Sequence, residues 1–498
     1  VTATSSTRNA LAESYLDLLA RRGVTVDQTL ATMRQRVDLA ATSYGGRSLP
    51  RPAFLSYQEQ RRLAYDLAHL VTALTSLPDR RYGGDLGAFA RAAGMSGSQT
   101  AAVVRGGGTG PTRLSRADLH HDGDGFRLME LNLSSALGSL DNALLNRAFL
   151  AHPAVREFVE THQLSYVDTL AEVVATLRAV CDLPEGQRPF VAAVDWPDSF
   201  ETLEAQLRYS AAELTRYGLD AAACHLGHLE YRGGRIWLAD RPVDIVYRIF
   251  LLEDLARPEG PELIEPVLRA VERGEVKLFL PIDAELYGSK SALAMLSEEV
   301  EAPDGGLDPG QRASIDRLLP WTRMVRPGAV TAGGSTVDLW EYALAHRAEL
   351  VLKPASLHGG AGVVLGWQVP PERWRAELAA ALGGPWVLQR RVRPAPELFP
   401  ALAAERAAGT DRQPWLLNWG VFETSRGYGG AVVRGSTDLT GSVVNLTTGA
   451  VGGCCFHQSG PDGADQSDPD GADSAVPGDP PPAEAGPARA VPRGADRP

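Results

Sequence analysis

Cysteine is scarce in this 498-residue chain: Cys181, Cys224, Cys454 and Cys455 are the only four. Four in so long a chain do not make a disulfide scaffold. They form no CxxC pair and no Cys/His spacing suited to structural zinc. No apolar run reaches about 18 residues, so no membrane-spanning helix is expected. The first residues, VTATSSTRNALAESYLDLL, lack a basic start followed by an apolar stretch and do not read as a signal peptide, so a cytoplasmic location is expected. No long Lys/Arg run occurs, and the formal net charge is −12, which argues against nucleic acid or an anionic membrane as partner. Several nucleotide and hydrolase signatures are also missing. There is no GxxxxGK[ST] phosphate loop, and GSKS at Gly288 lacks the Gly-Lys step. RGGGTGP at 105–111 precedes a strand rather than a helix, so it is no dinucleotide fingerprint. No GxSxG elbow is present.

What remains is a chain with 44% hydrophobic residues, enough for a real core and two to four packed units. Residues 8 to about 100 read as helical, with Leu11, Tyr15, Leu18 and Leu19 at helical spacing and Tyr57 to Leu74 repeating the pattern. The stretch 112–142 reads as strand, tight HDGDG turn, strand and loop. Helix returns over 143–180. PFVAAVDW, a helix over about 199–217, a strand pair around Gly233 and Gly234, and VDIVYRIFLLEDL alternate as an α/β unit with a largely parallel sheet. Residues 275–300 give a strand, a loop at YGSK and a helix from Ser291. ELVLKPASLHGGAGVVLGW is a strand ending in Lys353, a Gly-rich loop and a second strand. WVLQRRV is a strand, and PWLLNWGVFETSRGYGGAVVRGS a hairpin. After about Ser459 the chain is low in complexity and is expected to be disordered.

The hairpin carries the chemistry. Arg116 and Asp118 share one face of its first strand, and Glu130 and Asn132 one face of its second. Two carboxylates and an amide suit Mg²⁺, a hard cation taking oxygen ligands. Arg116 beside them can hold a phosphate or a developing charge. A solvated hairpin with alternating polar residues would show the same pattern. Lys290 and Lys353 stand at strand or helix ends, where their point charges can neutralise phosphates. Gly359, Gly360 and Gly362 can close backbone N–H groups over such anions, or simply make a turn. Adjacent His120 and His121 point to opposite faces of a strand and read as surface or turn residues rather than a joint metal pair. Asp122 and Asp124 read as exposed turn residues.

These pieces, in this order, resemble glutathionylspermidine synthase and its relatives, the circularly permuted ATP-grasp amide ligases. R-x-D, eleven residues, then E-x-N fits Arg116, Asp118, Glu130 and Asn132. PIDAELYGSK fits the element ending at Lys290, VLKPASLHGGAG the strand with Lys353, WVLQ the strand ending at Gln389, and GYGGAVVRG the element with Arg434. The resemblance covers about residues 110–457. It implies an α/β (α+β) ATP-grasp fold, circularly permuted, divided as a helical region 1–110, a metal-binding hairpin with helices 111–180, a preATP-like substrate unit 181–275, lid and grasp subdomains 276–457, and the tail 458–498. It implies ATP and Mg²⁺, with Asp118, Glu130 and Asn132 as metal ligands and Arg116 steadying the acyl-phosphate transition state. Lys290 and Lys353 would hold phosphates, Gly359 and Gly360 the lid, Gln389 and Arg390 the adenine edge, and Asn418 and Arg434 further nucleotide contacts. Ser135 falls where the substrate carboxylate is held. The partners implied are a peptide or small-molecule carboxylate and an amine, joined in a biosynthetic amide, by a chain that can pair as a homodimer. No Cys precedes residue 110, so the resemblance is to the synthetase half without the amidase. Two other readings share the fold: a nucleotide-binding scaffold or sensor without ligase activity, and a phosphotransferase, which would need a mobile His such as His358.

Overall fold

The computed structural model describes residues 7–37, 47–107, 112–133, 139–302, 305–357, 359–407, 409–441, 443–445 and 448–460. The expectations placed on Ser135, His358 and the tail fall outside these residues. In chain order, the strands that build the site are β1 (Ala53–Leu55), β2 (Ser115–His121), β3 (Phe126–Asn132), β4 (Phe190–Asp195), β5 (Asp220–His225), β6 (Ile245–Arg248), β7 (Lys277–Phe279), β8 (Thr322–Met324), β9 (Leu350–Pro354), β10 (Val364–Leu365), β11 (Trp386–Arg390), β12 (Arg412–Thr424), β13 (Gly427–Ser436) and β14 (Val451–Gln458).

The largest sheet runs β1-β14-β13-β12-β2-β3. Its neighbours are antiparallel except β1 and β14, which are parallel. β1 lies within the stretch read as helical. Three consecutive buried residues, Ala53, Phe54 and Leu55, carry no helical period, and they find their partners 400 residues away in Cys455, Phe456 and His457. The helix Tyr57–Thr75 starts with a capping box, in which Ser56 and Glu59 satisfy each other's backbone N–H. It packs Leu63, Leu67, Leu70 and Leu74 into the core cluster that also holds Ala117, Leu119, Leu128, Leu131, Trp419, Val421 and Val433 of the sheet.

The turn between β2 and β3 is built as its sequence demands. Asp122 Oδ1 accepts from the backbone N–H of Asp124 and Gly125 at 3.0 and 2.9 Å, and Gly123 takes φ +108°, a value costly for other residues. Asp122 also accepts from Arg127 Nε at 2.7 Å and is only half-exposed, while Asp124 is exposed. The register pairs Arg116 with Asn132 and Asp118 with Glu130, then shifts so that Leu119 faces Leu128. Met129 is the extra residue of a bulge. The bulge lets Leu128 and Leu131 both enter the core while Glu130 and Asn132 face the other way.

A second sheet, β7-β6-β4-β5, is wholly parallel. Every residue of β4 is buried, as expected when both faces are covered. The helix Pro197–Arg216 makes the crossover from β4 to β5. A third sheet, β8-β11-β9-β10, is antiparallel and has its own core around Trp321, Leu352, Trp374, Leu378 and Leu388. The YGSK stretch is not a loop. Tyr287 and Gly288 end a short helix, Ala284–Gly288, and Ser289 caps the next, Lys290–Glu301, by accepting from Ala292 N. Among the described residues, no helix is long and apolar enough to cross a membrane. The architecture is mixed α and β, with several sheets in one unit, Val1–Ser459.

One buried acid makes stability depend on pH. Burial raises the Glu423 carboxyl to about 7 from its ordinary 4.5, although Arg113 Nη2 lies 3.4 Å away and opposes the rise. The folded chain therefore binds this proton more tightly than the unfolded chain. The stability it confers is fully present below 4.5 and is lost as pH rises through 7. Glu423→Gln should leave the protein more stable than wild type at pH 8, on the order of 3 kcal/mol, and nearly unchanged at pH 4.5. Urea titrations at the two pH values measure it; the same difference at both would remove Glu423 as the cause.

Candidate active site

The polar face of the β2–β3 hairpin meets the end of the third sheet across a cleft. Asp118, Glu130, Lys290, Lys353, Gly359, Gly360, Gln389, Arg390, Asn418 and Arg434 all line it, enclosing about 920 Å³ including the solvent at its mouth. Asn132 lines an adjoining cavity that shares Glu130 and Lys290 with the first. Twelve of the thirteen residues singled out by sequence are thus gathered at one place, Arg116 through its bonds to Asp118. The thirteenth, Ser135, is outside the described residues.

Asp118 is the centre of the ionic network. Its side chain is 2% exposed and lies between two guanidinium groups. Arg116 Nε donates to Oδ1 at 2.8 Å and Nη2 to Oδ2 at 3.2 Å, while Arg434 Nη2 stands 2.6 Å from Oδ1. Burial alone would raise the Asp118 carboxyl; the charges of Arg116 and Arg434 outweigh it and hold the group well below the ordinary range. Arg434 also donates to Asn418 Oδ1 at 3.2 Å, directly opposite it in the register of β12 and β13. Gly420, opposite Asp118, leaves the room for this. A Cβ there would lie 2.9 Å from Arg116 Cδ. Asn132 Nδ2 reaches the Arg116 carbonyl at 3.4 Å.

Both lysines reach the hairpin from other elements. Lys290 Nζ lies 3.6 Å from Glu130 Oε2 and donates to Leu357 O at 2.8 Å, and its backbone N–H donates to Ala355 O at 3.0 Å. Lys353 Nζ donates to the bulged Met129 carbonyl at 3.1 Å and to Gln389 Oε1 at 2.6 Å. Burial pulls its pKa down to about 8; Lys290 adds to the fall and Glu130 opposes it. Gln389 Nε2 donates to Thr322 Oγ1, so its side chain organises Lys353 rather than facing a base. The Gly-rich loop has φ +64°, +80° and +70° at Gly359, Gly360 and Gly362. A Cβ on Gly362 would meet Pro354 at 2.8 Å, so close approach as well as backbone shape calls for glycine.

Sequence reasoning missed three residues here. His120 is not a surface or turn residue. It shares the Asp118 face, is buried, and lines the cleft, with Nδ1 2.7 Å from Leu417 O. Burial, with the charges of Lys353 and Arg434, lowers its pKa to about 4, so it is neutral. Its two-residue spacing from Asp118 was the available signal. His121, by contrast, keeps a turn role, accepting from Gly123 N at 3.1 Å. Asn445 has no sequence signal. Its Nδ2 donates to Gly359 O and its Oδ1 accepts from Thr448 N, tying the Gly-rich loop to the segment after β13. Gly420 is the third.

Two carboxylates from facing strand positions, an amide two residues on, two ammonium groups and a glycine loop with left-handed backbone are complementary to a cation and a polyphosphate. Among the described residues no group of three or more His, Cys, Asp or Glu side chains is placed to hold a metal.

No protein-family model and no curated protein matches this sequence. Among solved structures, the chain is similar to a glutathione synthetase-like effector from Globodera pallida in its apo form. That match has 11% identity and a TM-score of 0.54, and covers 87% of this chain and 96% of the other. A protein described only provisionally as a gamma-glutamylcysteine synthetase, from Methylobacillus flagellatus KT, matches at 13% identity over 76% of this chain and 82% of its own, but its TM-score of 0.38 is too low to bear on the fold. At this identity the first likeness is one of architecture: the chain has the fold of a glutathione synthetase-like protein.

Proposed function

We propose that this chain is an ATP- and Mg²⁺-dependent ligase that joins a carboxylate to an amine through an acyl phosphate, on a peptide or amino-acid substrate. The single observation that carries the reading is the convergence of Asp118, Glu130 and Asn132, from one hairpin face, with Lys290 and Lys353 from two other elements. The glutathione synthetase-like architecture supports it.

Asp118, Glu130 and Asn132 would hold Mg²⁺, which when bound neutralises phosphate charge. Lys290 and Lys353 supply fixed positive charge at the phosphates, and the Gly359–Gly362 loop closes over them. The substrate carboxylate oxygen forms a bond to the terminal phosphorus of ATP as the bond to ADP breaks. The amine nitrogen then bonds to the acyl carbon, inorganic phosphate leaves, and the nitrogen loses a proton. Arg116 and Arg434, beside Asp118, steady the charge on the transferring group. No covalent nucleophile of the protein is needed. The order of the elements, with the metal hairpin ahead of both lysine segments, supports a circularly permuted ATP-grasp. The subdivision at 110, 180, 275 and 457 belongs to this proposal. Gln389 and Arg390 then provide the adenine edge through the backbone of β11.

The test is a matrix of carboxylates against amines with Mg-ATP. ADP is expected only where both partners are present, with amide as product. ADP that appears without an amine and with a hydroxyl phosphorylated would replace the ligase by a phosphotransferase.

A further inference from the structure

The Gly-rich loop reaches the cleft with alternate carbonyls already taken. Lys290 donates from its backbone N–H to Ala355 O at 3.0 Å and from Nζ to Leu357 O at 2.8 Å. The third carbonyl, that of Gly359, accepts from Asn445 Nδ2. C=O and N–H point in opposite directions across a planar trans peptide, so holding the Gly359 carbonyl also sets the direction of the Gly360 N–H. Among the described residues no hydrogen bond takes that N–H. Gly359, Gly360 and Asn445 line the same cleft as Lys290 and Lys353.

Asn445 is itself held in place. It is buried, and its Oδ1 accepts from Thr448 N at 2.9 Å. Its backbone N–H donates to Thr448 Oγ1 at 3.2 Å, and that hydroxyl donates to Val443 O at 2.6 Å. The Thr448 N–H can only donate and the Gly359 carbonyl can only accept, so the two ends of the amide cannot exchange places. Gly360 packs on the same residues: a Cβ there would lie 3.0 Å from Val443 Cγ1 and 3.2 Å from Asn445 Nδ2. A carbonyl oxygen turned toward a phosphate repels it, whereas a backbone N–H attracts it. Which of the two the loop presents is therefore decided by what holds the Gly359 carbonyl.

We propose that Asn445 is a positioning residue for phosphate binding: by engaging the Gly359 carbonyl it fixes the Gly359–Gly360 peptide so that its N–H is presented to the phosphates of the bound nucleotide. This rests on the ligase reading above and adds to it a residue that acts through the loop. The bond exists before any ligand arrives, so the loop is ordered in advance and binding spends little entropy on it.

The experiment has two arms, both on the full chain. The first measures equilibrium binding of Mg-ATP and of adenosine, which has no phosphates, to wild type and Asn445→Ala. The variant should bind Mg-ATP about tenfold more weakly and adenosine as wild type does. The second follows amide hydrogen exchange without nucleotide in wild type, Asn445→Ala and Asn445→Asp. The aspartate keeps an oxygen for Thr448 N and so keeps the turn, but it has no N–H to give to Gly359. Exchange at Gly359–Gly362 should quicken in both variants, while exchange over 448–450 should quicken in Asn445→Ala alone. Equal losses for Mg-ATP and adenosine, with faster exchange confined to 448–450, would make Asn445 a turn residue only and overturn the assignment. So would an Asn445→Asp whose Gly359–Gly362 amides exchange as in wild type, because the donor would then be dispensable. A wild type that binds neither ligand removes the nucleotide reading itself, and this assignment with it.

Discussion

Lys353→Met should lose turnover by roughly 10²–10³-fold while making the resting protein more stable near neutral pH. The two halves of this result have one cause. Lys353 Nζ is buried and its two recorded acceptors, Met129 O and Gln389 Oε1, are neutral. The charge is therefore poorly compensated until an anion arrives, and burial drags the pKa to about 8 from an ordinary 10.5. With a folded value below the unfolded one, the penalty for keeping the ammonium charged is fully present below 8 and fades as pH rises through 10.5. Methionine removes the penalty and keeps the volume. It also removes the charge that phosphate transfer needs. Denaturation at pH 7 and ADP release, measured on the same preparation, check both halves. A purely structural lysine would give a less stable variant. The pH profile adds a second readout: nucleotide affinity should fall above pH 8 in wild type as Lys353 loses its proton, and should hold in Lys353→Arg, whose guanidinium stays charged.

This poised lysine shows how far the sequence could be read. The hairpin was legible because HDGDG is strong turn chemistry and because R-x-D and E-x-N repeat at period two. Lys353 was legible because a lysine closing an apolar strand before Pro354 is out of place in a core. The bulge at Met129 was not read, although Leu128 and Leu131 stand three apart where a flat strand would space core residues by two. It aims the Met129 carbonyl at Lys353, so it matters to the site. The β1 strand was missed because its partner is β14, near the other end of the described chain, and no local pattern reports so distant a pairing. His120 was misplaced because its polarity read as surface, whereas its face is set by Asp118. Asn445 and Gly420 act through contacts made only in the folded chain: a bond to Gly359 O, and space for Arg116.

Asp118→Ala is expected to destabilise the protein by roughly 3–5 kcal/mol before any loss of metal is considered. The Arg116 and Arg434 side chains are 14% and 11% exposed, and they share this carboxylate as their common counter-ion. Without it two partly buried cations lose the carboxylate they share. The folded Asp118 carboxyl is held below its ordinary 3.8, so the stability it contributes is present above that value and lost as pH falls below it. Wild type should therefore show an acid limb that Asp118→Ala lacks. Removing one cation as well, in Asp118→Ala/Arg434→Met, should recover part of the loss, so the two changes are not additive. Inorganic phosphate should raise the melting temperature of Asp118→Ala more than that of wild type, because two guanidinium groups freed of their carboxylate form an anion site. Denaturation of the three proteins, with and without phosphate, distinguishes this from a simple packing defect. A packing defect would be additive with Arg434→Met and indifferent to phosphate. Asp118 would then be a metal ligand alone, and the two arginines would have to be held in place by something other than its charge.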